Sequence, residues 1–235
     1  LGGAPFTDLR AGRDTDPFQL VQGTEDDVAD CFRVGVKDLP QSGGEAIDLG
    51  IASDDEDSLR ALASGARGAD MLVTLGGASV GDHDLVRKVL GQDGLELDFW
   101  RIAMRPGKPL IFGSFGETSM MGMPGNPVSS LVCGIVYLRP AIRAMLGLDP
   151  HAASQSARLG QDLPGNDQRQ DYLRATASLN GNGETVVVPF EKQDSSMLSG
   201  LAKADCLILR APHAAAAKAG ERVEILPLSS ETTGI

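Results

Sequence analysis

The run Met71–Leu75 (MLVTL) carries no charge and passes directly into the glycine-rich turn GGASVG, then into Asp82, His83 and Asp84. So short an uncharged run, closed by glycines, reads as a strand buried on both faces, the kind found in parallel sheets covered by helices. Two later segments are built alike, MRPGKP at Met104–Pro109 and MPGNPVSS at Met123–Ser130. Each sets glycines or prolines beside polar or charged side chains just after an apolar run. That is how an α/β protein forms an anion-binding crevice at its strand ends. Together the three segments point to an enzyme acting on a phosphorylated small molecule.

The flanking sequence fits such a frame. EAIDLGI (Glu45–Ile51) alternates like a strand, and Ser53 with Glu56 forms a capping box for a helix through Leu59, Leu62, Ala63 and Ala66. A second helix is expected over Asp82–Leu90, and strands over Leu95–Met104, Pro109–Phe112 and Ser119–Met123. Asn126 as N-cap and Pro127 at the first helical position open a helix through Leu146 that Pro140 kinks. Alternating βα units imply an α/β fold with a mainly parallel, doubly wound sheet. Residues 1–43 form a poorly defined N-terminal remnant, incomplete or divergent, in which only Phe32, Val34 and Val36 suggest a short strand. Residues 44–148 make the α/β domain. Residues 149–235 make a small, barrel-like β domain, with short strands at Tyr172–Ala177, Thr185–Pro189, Cys206–Leu209 and Arg222–Ile225. Ala214–Ala217 is expected in a surface turn.

A formal charge of −11 argues against a general nucleic-acid or anionic-membrane binder, which needs a basic face. The three cysteines show neither metal-ligand spacing nor an even count, which fits a reducing cytoplasm. No apolar run approaches the ~20 residues of a membrane span. A chain starting at Leu1 rather than Met is expected to be processed, cloned or incomplete.

Within the crevice, Gly76 and Gly77 let the main chain approach a phosphate, Ser79 adds a hydroxyl and Gly81 frees the turn before the helix. Arg101, Arg105 and Lys108 are the local cations an acidic chain must concentrate to hold an anion. Pro124, Gly125, Asn126 and Pro127 make a stiff loop before a helix end with unpaired N–H groups. Each also has a structural reading: an ordinary tight turn, solvated surface charge, or a rigid helix entry. His83 has no partner histidine at ligand spacing, and Cys133 lies on an apolar helix, where packing outweighs nucleophilic chemistry. A dinucleotide site is disfavoured because GGASVG lacks the GxGxxG order.

VTLGGASVGDHD, FWRIAMRPGKPLIFG and GMPGNPVSS, in this order and spacing, resemble the molybdopterin molybdenumtransferases, the molybdenum-inserting enzymes of molybdenum cofactor synthesis. The likeness covers about Gly44–Gly147. RQDYLRA and QDSSMLSGLAKAD resemble the family's C-terminal barrel domain less sharply. The resemblance implies an elongated four-domain homodimer, of which this chain carries the last two domains. It also implies a reaction in which adenylylated molybdopterin and molybdate yield molybdenum on the dithiolene with release of AMP. Asp54 and Asp84, at strand-to-helix edges of adjacent βα units, would hold Mg²⁺ against phosphate oxygens, although acids in first helical turns also serve as caps. Arg101 and Ser129 match positions implicated in the oxyanion site. Gly76, Gly77, Ser79, Gly81, Asp82, Arg105, Lys108 and Pro124–Pro127 would line the substrate site. Contact with other cofactor-synthesis proteins is a further expectation. The alternative is a noncatalytic molybdopterin-binding or scaffold module.

Overall fold

The computed structural model describes residues 18–23, 44–53, 55–76, 85–92, 94–151, 154–195 and 197–228. They belong to two units: Leu1–Ile102 with Gly107–Pro150, and Ala103–Pro106 with His151–Ile235. The chain thus leaves the first unit for four residues and returns to it.

The first unit holds strands β1 (Phe18–Gly23), β2 (Gly44–Asp48), β3 (Met71–Leu75) and β4 (Leu95–Phe99). After β5 (Met104–Arg105), which belongs to the second unit, come β6 (Ile111–Phe115) and β7 (Thr118–Met123). The sheet order is β2-β1-β3-β7-β6-β4. The first four pair in parallel, β6 is antiparallel to β7, and β4 is antiparallel to β6. Only β6 therefore runs against the other described strands, and the sheet is mainly parallel. Because β2 and β3 flank β1, the chain reverses its direction of travel across the sheet between β1 and β3. Such switch points are where α/β sheets open a crevice at their strand ends.

Both faces of β3 are covered, and all five of its residues are buried. On one face Leu72 and Met120 pack with Leu59 and Ala63 of helix α1 (Glu56–Ser64) and with Val89 and Leu90 of α2 (Leu85–Gln92). Each such aliphatic side chain, once fully buried, contributes about 1.5–3 kcal/mol. By the period of two, Met71, Val73 and Leu75 face the other way. They share that face with Met121 and Met123 through the register Val73↔Met121 and Leu75↔Met123.

After β7 the chain forms one helix of three parts, α3 (Pro127–Cys133), a π turn (Gly134–Leu138) and α4 (Arg139–Met145). The π turn answers to Pro140, whose ring would strike the carbonyl of Val136 in a regular helix. The bond from Arg139 N–H to the Gly134 carbonyl skips that conflict. Contrary to the sequence reading, which finds no run approaching a bilayer span, Pro127–Met145 with its 19 residues is long and apolar enough to cross one by length and composition, and half of its apolar stretch is buried within the protein. Val128, Val132, Cys133, Leu138, Ala141, Ile142 and Met145 are the buried apolar positions.

Several boundaries differ from the sequence reading. The strand feeding β2 is β1, whose two glutamines and closing glycine conceal it; Phe32, Val34 and Val36 lie outside the described residues. The N-cap of α1 is Asp55, whose Oδ1 accepts from Ser58 N–H at 2.8 Å, while Ser53 N–H donates to Ser58 Oγ. The expected strand Leu95–Met104 is two strands, β4 in one unit and β5 in the other.

In the second unit β8 (Gln155–Leu159), β9 (Gln170–Leu179), β10 (Thr185–Pro189), β11 (Cys206–Arg210) and β12 (Arg222–Pro227) close into a five-stranded barrel. Four pairings are antiparallel, and a parallel one between β8 and β10 completes the ring. Leu159, Ala175, Val187, Ile208 and Ile225 fill it. Ala217 is not in a surface turn: it is 5% exposed and bridges to Leu163. Short β5 adds to β9 in parallel.

Candidate functional site

The parallel strands β3 and β7 end side by side, and their pairing continues past the strands through Gly76 N–H, which donates to the Met123 carbonyl at 3.1 Å. Gly76 has φ +78°, the left-handed region open to glycine. A Cβ on Gly125 would lie 3.3 Å from Gly76 Cα. Two loops that the sequence marks separately therefore meet backbone to backbone, and glycines permit the approach.

From that meeting the chain turns into α3. Asn126 is the N-cap, its Oδ1 3.5 Å from Ser129 N, and Pro127 occupies the first turn. Ser130 Oγ donates to the Pro124 carbonyl, which fixes the entry to the helix. Ser129 is buried, and its hydroxyl has no hydrogen-bond partner among the described residues. One turn on, Cys133 shares its helix face by the i, i+4 rule. The Cys133 thiol contacts the Gly107 carbonyl at 3.8 Å, so this face of α3 looks onto the Gly107–Pro109 loop. Burial pushes the Cys133 thiol up to about 12, which removes it as a nucleophile at neutral pH.

Gly107 adopts φ +113°. Its loop is closed at the neck by Ile102 N–H, which donates to the Lys108 carbonyl at 3.1 Å. Residues 101 and 108 are thereby brought to the same neck, and both side chains are exposed. Arg101 has no carboxylate partner among the described residues; its guanidinium lies over the Trp100 ring, 3.8 Å from the centroid.

Arg105 has a different setting. It belongs to the second unit, where Nε donates to Asp171 Oδ1 at 3.0 Å and Nη2 to Asp171 Oδ2, with Asp167 Oδ2 3.7 Å from Nη1. Asp167 is also held by Arg169, and these bonds lower its carboxyl to about 2.

Gly76, Pro124, Gly125, Asn126, Pro127, Ser129, Arg101 and Lys108 are thus carried by the first unit. Gly76 meets the Pro124–Pro127 loop, and the Gly107 carbonyl, next to Lys108 in the chain, touches Cys133, one turn beyond Ser129. Asp54, Gly77, Ser79, Gly81, Asp82, His83 and Asp84 lie outside the described residues. So do both carboxylates expected to hold Mg²⁺, and among the described residues no group of three His, Cys, Asp or Glu could hold a metal ion. Two further groups escape sequence reasoning. Thr74 Oγ1, at the end of β3, is buried without a hydrogen-bond partner, and it lies 3.4 Å from where a Cβ on Gly122 would stand. Trp100 carries a signal that could have been used, as the chain's one tryptophan set directly before an arginine.

Residues 24–144 match a family described as a probable molybdopterin binding domain, and residues 156–228 match the MoeA C-terminal region, domain IV. Over 191 residues the chain is 34% identical to the molybdopterin molybdenumtransferase of Haemophilus influenzae, covering 79% of this chain and 46% of that protein. Its identity to the Bacillus subtilis protein of the same name is 28%, over 81% of this chain and 45% of that one. The chain therefore spans about half the length of the curated relatives it matches. A crystal structure of the molybdopterin biosynthesis MoeA protein from Pyrococcus horikosii superimposes with a TM-score of 0.73 at 27% identity, over 91% of this chain and 55% of that one. A molybdenum cofactor biosynthesis protein from Pyrococcus furiosus shares the fold, with a TM-score of 0.68 at 18% identity over 91% and 69%.

Proposed function

Since the chain belongs to the family of molybdopterin binding domains, we infer that it inserts molybdenum from molybdate into adenylylated molybdopterin and releases AMP. The observation that carries this reading is the gathering of three glycine- and proline-bearing segments along α3. The Gly76 end of β3 meets the Pro124–Pro127 loop at its start, and the Gly107 carbonyl touches Cys133 at the other end of the same short helix.

In this reading the bare backbone at Gly76 and Gly125 admits a phosphate close to the main chain, where no Cβ obstructs it. The N-terminal end of α3 offers the partial positive charge that favours an anion, and the prolines hold the loop in one shape before the ligand arrives. Ser129 supplies a hydroxyl, and Arg101 and Lys108 supply cations, to the oxyanion of molybdate. Arg101 can present paired N–H donors and Lys108 a single point of charge. Stabilising the negative charge that builds on the bridging phosphate as AMP departs is the same task in its transition state. Gly77, Ser79, Gly81 and Asp82 extend the substrate site into the following loop, and Asp54 and Asp84 are proposed Mg²⁺ ligands. A homodimer working in the cytoplasm, beside other proteins of cofactor synthesis, completes the proposal.

The test is AMP release by the purified protein supplied with adenylylated molybdopterin and Mg²⁺, with and without molybdate. Molybdate-dependent release is the expected result. Tight pterin binding without release would replace it with a noncatalytic binding role, which the span of about half the relatives' length keeps in view.

A further inference from the structure

We propose that Trp100 is a positioning residue for the oxyanion site: its indole serves as a platform that holds Arg101 with its N–H edge free for molybdate. This rests on the oxyanion role given to Arg101 above.

The placement starts in the sheet. Phe99 ends β4 opposite Phe112 of β6, and their rings stack at 5.7 Å with 26° between planes. That contact anchors the backbone one residue before Trp100. The indole stays partly exposed at 37%, and the Arg101 guanidinium sits 3.8 Å from its centroid. A guanidinium held over a ring by cation–π attraction spends no N–H donor on a carboxylate, so donors remain available for a planar or tetrahedral oxyanion. An arginine elsewhere in this acidic chain is restrained differently: Arg105 spends its rim on Asp171 and Asp167. Arg101 has no carboxylate among the described residues to compete with an incoming anion. The bond between Ile102 N–H and the Lys108 carbonyl keeps the second cation's backbone at the same neck. The stack therefore restricts Arg101 without neutralising it, and lowers the ordering cost of anion binding.

The chain contains a single tryptophan, so its own emission reports the site. Molybdate, and tungstate as a nonphysiological congener, would be titrated into the whole protein while Trp100 fluorescence is followed. The variants Trp100→Phe, Trp100→Leu and Arg101→Gln would be measured by calorimetry. The wild type should show a saturable change in emission, and Arg101→Gln should abolish both that change and the heat of binding. Trp100→Phe, which keeps an aromatic face, should bind within about twofold of wild type. Trp100→Leu should bind about two- to fivefold more weakly, the range expected for losing an exposed cation–π contact. In turnover that loss should raise the KM for molybdate and leave kcat in place. Equal affinity of Trp100→Leu and wild type, with Arg101→Gln still defective, would overturn the platform and leave the oxyanion site standing. Wild-type affinity in Arg101→Gln would overturn both. Because Trp100 and Arg101 are surface residues, melting temperatures within a few degrees of wild type will separate these effects from unfolding.

Discussion

Arg174 and Gln193 hydrogen-bond in both directions: Arg174 N and Nε donate to Gln193 Oε1 at 3.0 and 3.3 Å, and Gln193 Nε2 donates back to the Arg174 carbonyl at 2.9 Å. The guanidinium goes on to the carbonyls of Met197 and Asp194, at 3.1 and 2.9 Å, while only 2% of the residue is exposed. A buried arginine thus threads β9 to the loop before α5 (Leu198–Ala202). Replacing it with methionine should cost about 2–5 kcal/mol, because the carbonyls lose charged donors where water cannot replace them. Gln193→Ala should cost about 1–3 kcal/mol, and a double-mutant cycle by urea unfolding should give a coupling of at least ~0.5 kcal/mol. Additive losses would contradict the shared network.

Arg105→Ala should act on stability more than on ligand binding. The substitution strips the Asp171 carboxylate, 5% exposed, of its bidentate partner, at about 1–3 kcal/mol. Unfolding midpoints should fall, while pterin affinity, measured where the protein is folded, stays within about threefold. A tenfold loss of affinity without loss of stability would return Arg105 to the substrate site.

Gly125→Ala places a methyl group 3.3 Å from Gly76 Cα and must push two backbones apart. Gly76→Ala forces φ +78° on a residue with a side chain, at about 1–2 kcal/mol. Both should weaken pterin binding beyond the loss in melting temperature, and calorimetry on the folded variants decides the matter. Unaltered pterin affinity in both would remove this meeting of loops from the site.

Ser129→Ala removes one hydroxyl from a residue that is only 6% exposed. AMP release measured over a range of molybdate concentrations should show a higher requirement for molybdate, by about three- to tenfold as fits one hydrogen bond. Pterin affinity should change less. Equal loss of both would contradict the assignment.

Asp167 carries a sign that acid unfolding can read. Its carboxyl is lowered from 3.8 to about 2, chiefly by the side-chain bond from Arg169. A depressed carboxyl contributes stability that is fully present above its unfolded value and lost as pH falls through its folded one. The window is therefore about pH 4 down to about pH 2. In Asp167→Asn the urea midpoint should depend less steeply on pH across that window and match the wild-type slope above it.

Local signals made part of this molecule legible. Asn126–Pro127 announces a helix start within two residues, and Met71–Leu75 announces a buried strand by its own composition, so both appear where the sequence puts them. What escaped depends on distant partners. A two-residue strand such as β5 has no pattern of its own; it exists because Gln170 and Asp171, 66 residues on, pair with it. Asp171 and Asp167, the carboxylate partners of Arg105, also lie far along the chain, out of reach of any local pattern. Likewise β8 is ordinary until β10 closes on it in parallel. The capping of α1 by Asp55 rather than Ser53 shows a smaller limit, since several oxygens in SDDED compete for the same N–H groups.

The short excursion of Ala103–Pro106 gives the barrel two points of covalent entry instead of one. A fragment cut at His151 would keep five strands but lose the sixth, baring the edge of β9 where Gln170 N–H now donates to Ala103 at 2.8 Å. Such an edge invites pairing between molecules. The barrel is therefore no detachable module at the end of the chain: a gene fusion or truncation designed on a simple tandem order would separate Asp171 from its counter-ion and favour self-association.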